Sequence, residues 1–448
     1  MKKFIESIIN VWKIEELKNR ILITCGILLV YRFGAQVTLP GIDATQLGGL
    51  AGQTKQGIGS VLDMFTGGAF SQASIFALGI MPYISASIVV QLMGIAIPYL
   101  QKLQSDGESG RKKINQITRW LTIAITLVQG PGYIYNLYRT LPANAFLLGF
   151  NSFEFLFSSV IILVTGTIFA MWLGEKITDK GIGNGISLLI MVGILARFPQ
   201  AFIQEFAARV TNNNGGPMLL VVEIIIWLLV IISCVLLVMA IRKIPVQYAR
   251  RTTSGDFEKD MIDGNRQWIP LKLNASGVMP IIFAQAIMFI PAAVAGLSKS
   301  DASQSIVGAF SNIFGFWYNL VFATLIVVFT FFYTAITVPT NKMSDDLKRS
   351  GGFIPGIRPG VETSDFLDKV MSLITFPGSL FLALIAVFPA IVVSLMDVQQ
   401  SWAMFFGGTS LIIMVGVAID TIQQINSYLL NKHYDGLMKS GKNRKAVA

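Results

Sequence analysis

The stretch PMLLVVEIIIWLLVIISCVLLVMAI at 217–241, followed at once by Arg242 and Lys243, decides the fold. It holds a single ionisable carboxylate, Glu223, in a run longer than the ~20 apolar residues that cross ~30 Å of hydrocarbon as a helix. The basic block that ends it is the signature of a cytoplasmic loop. The same alternation of apolar run and charged loop fills the chain. Spans are predicted at 21–39, 74–97, 119–138, 153–173, 183–205, 217–241, 275–296, 313–337, 372–395 and 403–428. Most of the 35 Lys and Arg residues fall in the loops of one side, and Arg32 lies inside a span. That asymmetry places both termini in the cytoplasm.

Composition agrees. Of 448 residues, 53% are hydrophobic and 13% charged, with a mean hydropathy of +0.63. A soluble domain would carry ~25% charge. The net charge of +10 is therefore a property of the loops, suited to anionic lipid, ribosomal RNA or acidic protein surfaces. Cys25 and Cys234 both fall in spans and lack metal-site spacing, so neither a disulfide framework nor a metal site is expected. No small-residue cleavage site follows the first apolar run, so no removable signal peptide is expected.

Residues 1–20 set Lys2, Lys3, Lys13, Lys18 and Arg20 around Phe4, Ile8, Trp12 and Leu17. This pattern fits an interfacial helix on the cytoplasmic face, and equally a solvated helix packed on loops. Three cytoplasmic loops are basic, at 98–118, 242–272 and 338–371. The third contains GGFIPGIRPG at 351–360, whose glycines and prolines forbid regular helix and set Arg358 on a shaped tip. The segment GIGSVLDMFTGGAFSQA at 57–73 is too short and too broken to cross. It reads either as an external loop or as a re-entrant piece against protein or a water-filled cavity.

The loop 206–216 separates five spans from five, which predicts two halves of opposite orientation, 21–205 and 217–428, with a cytoplasmic tail at 429–448. Little chemistry is visible. His433 is the one histidine, and no P-loop or G-x-S-x-G elbow occurs. Glu223, Asp420 and Arg32 are the candidate functional charges in spans, and each fits a structural ion-pair or snorkelling role. Ile80 and Ile84, and Ile186 and Ile190, stand one helical turn apart. Taken alone such pairs read as lipid-facing or packed core. A channel, a secondary transporter and a membrane enzyme are the readings to separate. A transporter needs a polar midplane site, and an enzyme needs a nucleophile, base or metal ligands.

Four motifs carry a resemblance: LGIMPYISASIVVQL (78–92), EKITDKGIGNGISLLI (175–190), SGGFIPGIRPG (350–360) and FFGGTSLIIMVGVAID (405–420). In this order they closely resemble the SecY family, the channel subunit of the bacterial protein-conducting translocon, and the likeness runs from VYRFGAQVTLPGID (30–43) to the basic tail. The resemblance implies an all-α polytopic membrane protein of the bacterial inner membrane, with ten transmembrane helices in two inverted halves around a central pore. It implies a non-enzymatic, cofactor-free channel that passes unfolded secretory chains and releases transmembrane segments sideways. The pore ring would be Ile80, Ile84, Ile186, Ile190, Ile282 and Ile413. The plug would be the 57–73 segment with Asp63, hinged at Gly67 and Gly68, glycines that could equally just end a helical turn. Gln91, Gln129 and Asn274 match lateral-gate positions. Arg250, Arg251 and Arg358 match docking positions for the ribosome or the SecA motor. SecE-like and SecG-like subunits, signal peptides, nascent chains and anionic lipids complete the implied partners. Two stretches depart from the family pattern, MIDGNRQWIP (261–270) and VPTNKMSDD (338–346).

Overall fold

The structure, a computed structural model, describes Trp12 and residues 14–48, 58–146, 152–211, 216–248, 266–295 and 312–445. Its helices are α1 (Glu15–Gly34), α2 (Ile58–Phe65), α3 (Met81–Ala96), α4 (Pro98–Ser105), α5 (Gly107–Thr140), α6 (Ser152–Lys180), α7 (Gly185–Thr211), α8 (Gly216–Met239), α9 (Met279–Ala295), α10 (Phe316–Thr337), α11 (Thr340–Arg349), α12 (Val361–Met396), α13 (Gln400–Ala403) and α14 (Gly408–Lys445). Three strands are β1 (Ile241–Tyr248), β2 (Arg266–Lys272) and β3 (Gly352–Phe353).

Among the described residues six helices are long and apolar enough to cross a membrane, or seven if the bent pair α3–α4 counts as one span. The ten predicted spans are therefore matched in part. Helix α1 carries Glu15, Glu16, Lys18, Arg20 and Arg32, and the second half of α5 is broken by Gln129, Gly130, Pro131 and Gly132, which lowers its apolarity. The α3–α4 bend of 104° falls at Ile97–Pro98. A residue before proline is driven out of the helical region, and Ile97 is extended at φ −105°, ψ 114°.

The chain divides into two compact units: residues 1–214 with 399–402 and 417–448, and residues 215–398 with 403–416. Residues 408–416 of the last helix fall in the second unit and the rest of it in the first. In the first unit, α1 packs along α6 and α7. A core of Leu39, Ile42, Phe70, Tyr133, Ile134, Leu137, Phe155 and Leu163 joins the turn after α1 to α5 and α6. The GIGNG turn at 181–185 is clasped: Ile182 N–H donates to Thr24 Oγ1 at 3.1 Å, and Gly183 N–H donates to Gln424 Oε1 at 2.8 Å. In the turn after α1, outside the spans, Thr45 donates its N–H and Oγ1–H to Asp43, which holds that carboxyl below the usual carboxylate range.

The second unit corrects the all-α expectation. The loop at 242–272 contains an antiparallel ribbon, extended by a third strand in the order β2-β1-β3. Alternation along β1 turns Ile244 and Val246 inward. With Leu271 they bury against Leu347 of α11, Ile354, and Leu367 and Met371 of α12. Period-two alternation with β-branched residues is a strand signal. Basic residues at 242–243 and 266 hid it within what reads as a charged loop.

Candidate functional site

Helix α2 is a two-turn helix that does not continue into α3. Its chain reverses through Thr66–Ile80, held by turns at Gly67 (φ +65°) and Gly68 (φ +95°) that glycine alone adopts without strain. Both glycines therefore serve the reversal.

This folded segment sits against α7, backbone on backbone. A Cβ built on Gly193 would stand 2.8 Å from Phe65 O, and one on Gly67 would stand 2.8 Å from Gly193 Cα. Small residues permit such close approach inside a membrane protein. Tyr133 of α5 donates from its hydroxyl to Phe70 O at 2.8 Å, and the two rings pack 4.9 Å apart.

Charge completes the seat. Asp63, buried near the end of α2, accepts the Ser71 N–H at 2.8 Å through Oδ1. Its Oδ2 forms an ion pair with Arg197 of α7, whose Nη2 also donates to Ser71 Oγ at 2.6 Å. Arg32 of α1 donates from Nη1 to Gly67 O at 2.8 Å. Charged groups at membrane depth are costly unless partnered, and both arginines find their partners in this one segment.

The other predicted site residues are distributed as follows. In the first unit, Ile80 is buried just before α3 and Ile84 is half-buried one turn on, its N–H donating to Ile80 O at 3.0 Å. Ile186 is half-buried and Ile190 buried, on α7. In the second unit, Ile282 is half-buried on α9 and Ile413 buried on α14. Gln91 is half-buried and bonds within its own helix to Ser87 Oγ at 3.3 Å, and Gln129 is exposed. Asn274 is buried and accepts from Ser276 at 3.3 Å. Arg358 is 87% exposed on its side chain, above a loop pinned by Thr363 Oγ1 donating to Arg358 O at 2.8 Å. Ser344 Oγ donates to Gly360 O at 2.6 Å in the same loop. Arg250 and Arg251 lie outside the described residues.

The sequence reading passed over Arg197, since no local pattern links it to Asp63, 134 positions away. It also passed over Glu205 and Arg209, a buried pair on α7 at 2.8 Å. Glu205 further accepts the Gln399 N–H at 2.9 Å. Their i,i+4 spacing was a usable signal. Among the described residues no group of His, Cys, Asp or Glu could hold a metal ion.

The family model for SecY matches residues 74–422. The chain belongs to the SecY family. The protein translocase subunit SecY of Thermotoga maritima is 38% identical over 440 residues, covering 97% of this chain and 98% of its own. That of Haemophilus influenzae is 40% identical over 427 residues, covering 95% and 94%. Membership makes this chain a translocase channel subunit and multi-pass membrane protein rather than an enzyme. Among solved structures, a SecY channel studied for its plug domain aligns with a TM-score of 0.60 at 18% identity, over 92% of each chain. Sec61 in a canine ribosome–channel complex aligns with a TM-score of 0.51 at 16% identity, again over 92% of each. These structures share the fold.

Proposed function

We propose that this chain lines the polypeptide path of a bacterial inner-membrane translocon and that the segment 57–73, described from residue 58, is its plug. The observation that carries the reading is the seat just described: a helix too short to cross, turned back on itself and fastened by two arginines of neighbouring helices. In the solved relative with the related fold, the plug domain stabilises the closed state and maintains a membrane seal. The same task suits a segment packed this tightly and tied by bonds that can be remade.

Ten spans in two inverted halves, with both termini cytoplasmic, form the rest of the proposal. Ile80, Ile84, Ile186, Ile190, Ile282 and Ile413 close the waist. Branched apolar side chains exclude ions by dewetting, and they offer a sliding chain no fixed hydrogen bonds. Gln91, Gln129 and Asn274 border the lateral gate. Polar contacts in a membrane interface are worth ~0.6–2 kcal/mol, little enough for an apolar signal helix to displace. Segments then partition by their transfer energy. Arg358, with Arg250 and Arg251, meets the ribosome or the SecA motor from the cytoplasm, and SecE-like and SecG-like subunits brace the channel.

Site-specific crosslinking tests this reading. A photoreactive residue at position 84, in the complex with its partner subunits, should label a stalled secretory chain. Label near Gln91 without label at 84 would indicate an insertase-like surface, and silence at both would overturn the channel path.

A further inference from the structure

The plug seat is held by contacts of two kinds. Packing against Gly193 and the Tyr133 bond hold the segment through neutral groups. Asp63 and Arg197 are set so that one contact ties the segment both to α7 and to itself. Asp63 Oδ1 accepts Ser71 N–H, Asp63 Oδ2 takes the Arg197 guanidinium, and the same Nη2 reaches Ser71 Oγ. Arg197 Nη1 also donates to Gln200 Oε1 on its own helix at 3.0 Å. Arg32 adds a second hold from another helix, but only on a carbonyl, Gly67 O.

The two holds differ in kind. Arg32 donates from a charged guanidinium to a neutral carbonyl, a charge-assisted bond, whereas Arg197 meets a carboxylate, so only the second joins two opposite charges in a partly dry site. The side chains of Arg197 and Asp63 are 25% and 11% exposed, so water screens the pair only in part. If the plug moves away, Asp63 leaves with it and Arg197 stays on α7.

Resting on the plug assignment above, we infer that Asp63 and Arg197 form a latch that sets the threshold for channel opening, and hence how strong a signal sequence must be to open it. Arg197 acts through Asp63 and is a positioning residue. The latch must yield to the apolar energy that a signal helix supplies. Weakening it lets weaker signals through, and a charge-preserving replacement such as Arg197→Lys keeps part of the threshold.

The test uses the complete translocon reconstituted in vesicles, with Asp63→Asn, Arg197→Gln, Arg197→Lys and a deletion of residues 58–66. Two quantities are read: resting ion conductance, and transport of a precursor whose signal core has been shortened. We expect Asp63→Asn and Arg197→Gln each to raise resting open probability at least tenfold, about 1.4 kcal/mol. Both should admit the shortened signal at membrane levels near normal, with Arg197→Lys between them and the parent. A merely structural role would lower protein level without changing signal dependence, and that result overturns the latch. Leak in the deletion with parental behaviour in both point variants overturns the latch and leaves the plug in place. No leak in the deletion overturns the plug assignment, and the latch with it.

Discussion

Replacing Gly193 with alanine should unseat the plug without touching any charge. The added Cβ would stand 2.8 Å from Phe65 O and 3.3 Å from Gly67 N, where ordinary contact begins at 3.4 Å. The plug backbone must therefore retreat by about 0.6 Å at Phe65, because a main-chain carbonyl cannot swing aside as a side chain can. Overpacking of this kind typically costs about 1–3 kcal/mol. If that cost falls on the seated state alone, resting open probability rises about 5- to 150-fold. Single-channel recording of the reconstituted complex reads it directly. Gly26→Ala on α1 is the matched control, since nothing lies within 4 Å of a Cβ there. Conductance in Gly193→Ala equal to that of the control would refute the seat, because a displaced carbonyl must loosen the contact it makes.

Four further outcomes are expected. Tyr133→Phe removes the hydroxyl that reaches Phe70 O, leaving a buried carbonyl short of a donor. The loss of about 1 kcal/mol should raise resting leak about fivefold, readable by ion flux. Glu205→Ala breaks a pair whose side chains are 2% and 3% exposed and removes the acceptor for Gln399 N–H, so the purified complex should lose about 3–5 kcal/mol and melt markedly lower. Ile84→Ser and Ile282→Ser should raise leak with the plug intact, and unchanged flux would remove both from the ring. Arg358→Glu should impair motor-driven export at near-normal membrane levels, because the side chain is exposed and its contact with Glu362 is long at 3.9 Å.

What was legible in the chain was local. A run such as 217–241 reads as a span because its length and apolarity admit no other stable state in lipid. The shape of 351–360 was legible from its glycines and prolines, and Gly351, Gly356 and Gly360 all take positive φ. The oddness of 57–73 was legible as well, in a Gly-rich segment too short to cross. The strands at 241–248 and 266–272 were not, because Pro245 and Pro270 interrupt them and Arg242, Lys243, Arg266 and Lys272 give them the charge that a cytoplasmic loop carries anyway. The Asp63–Arg197 pair was not, because nothing in either neighbourhood names the other.

By itself, then, the sequence determined which stretches must leave water, which side the basic loops favour, and where the backbone must turn. Each of these follows from one segment's transfer energy or from one residue's allowed φ and ψ. Tertiary structure alone decided the partners of the ionisable groups left at membrane depth. Arg32, Arg197 and Asp63 meet because α1, α7 and the reversal after α2 converge on one place. That convergence depends on how whole helices pack, to which a charge's own neighbours in sequence contribute almost nothing, while the cost of leaving such a charge without a partner ensures that once the helices are packed it is met.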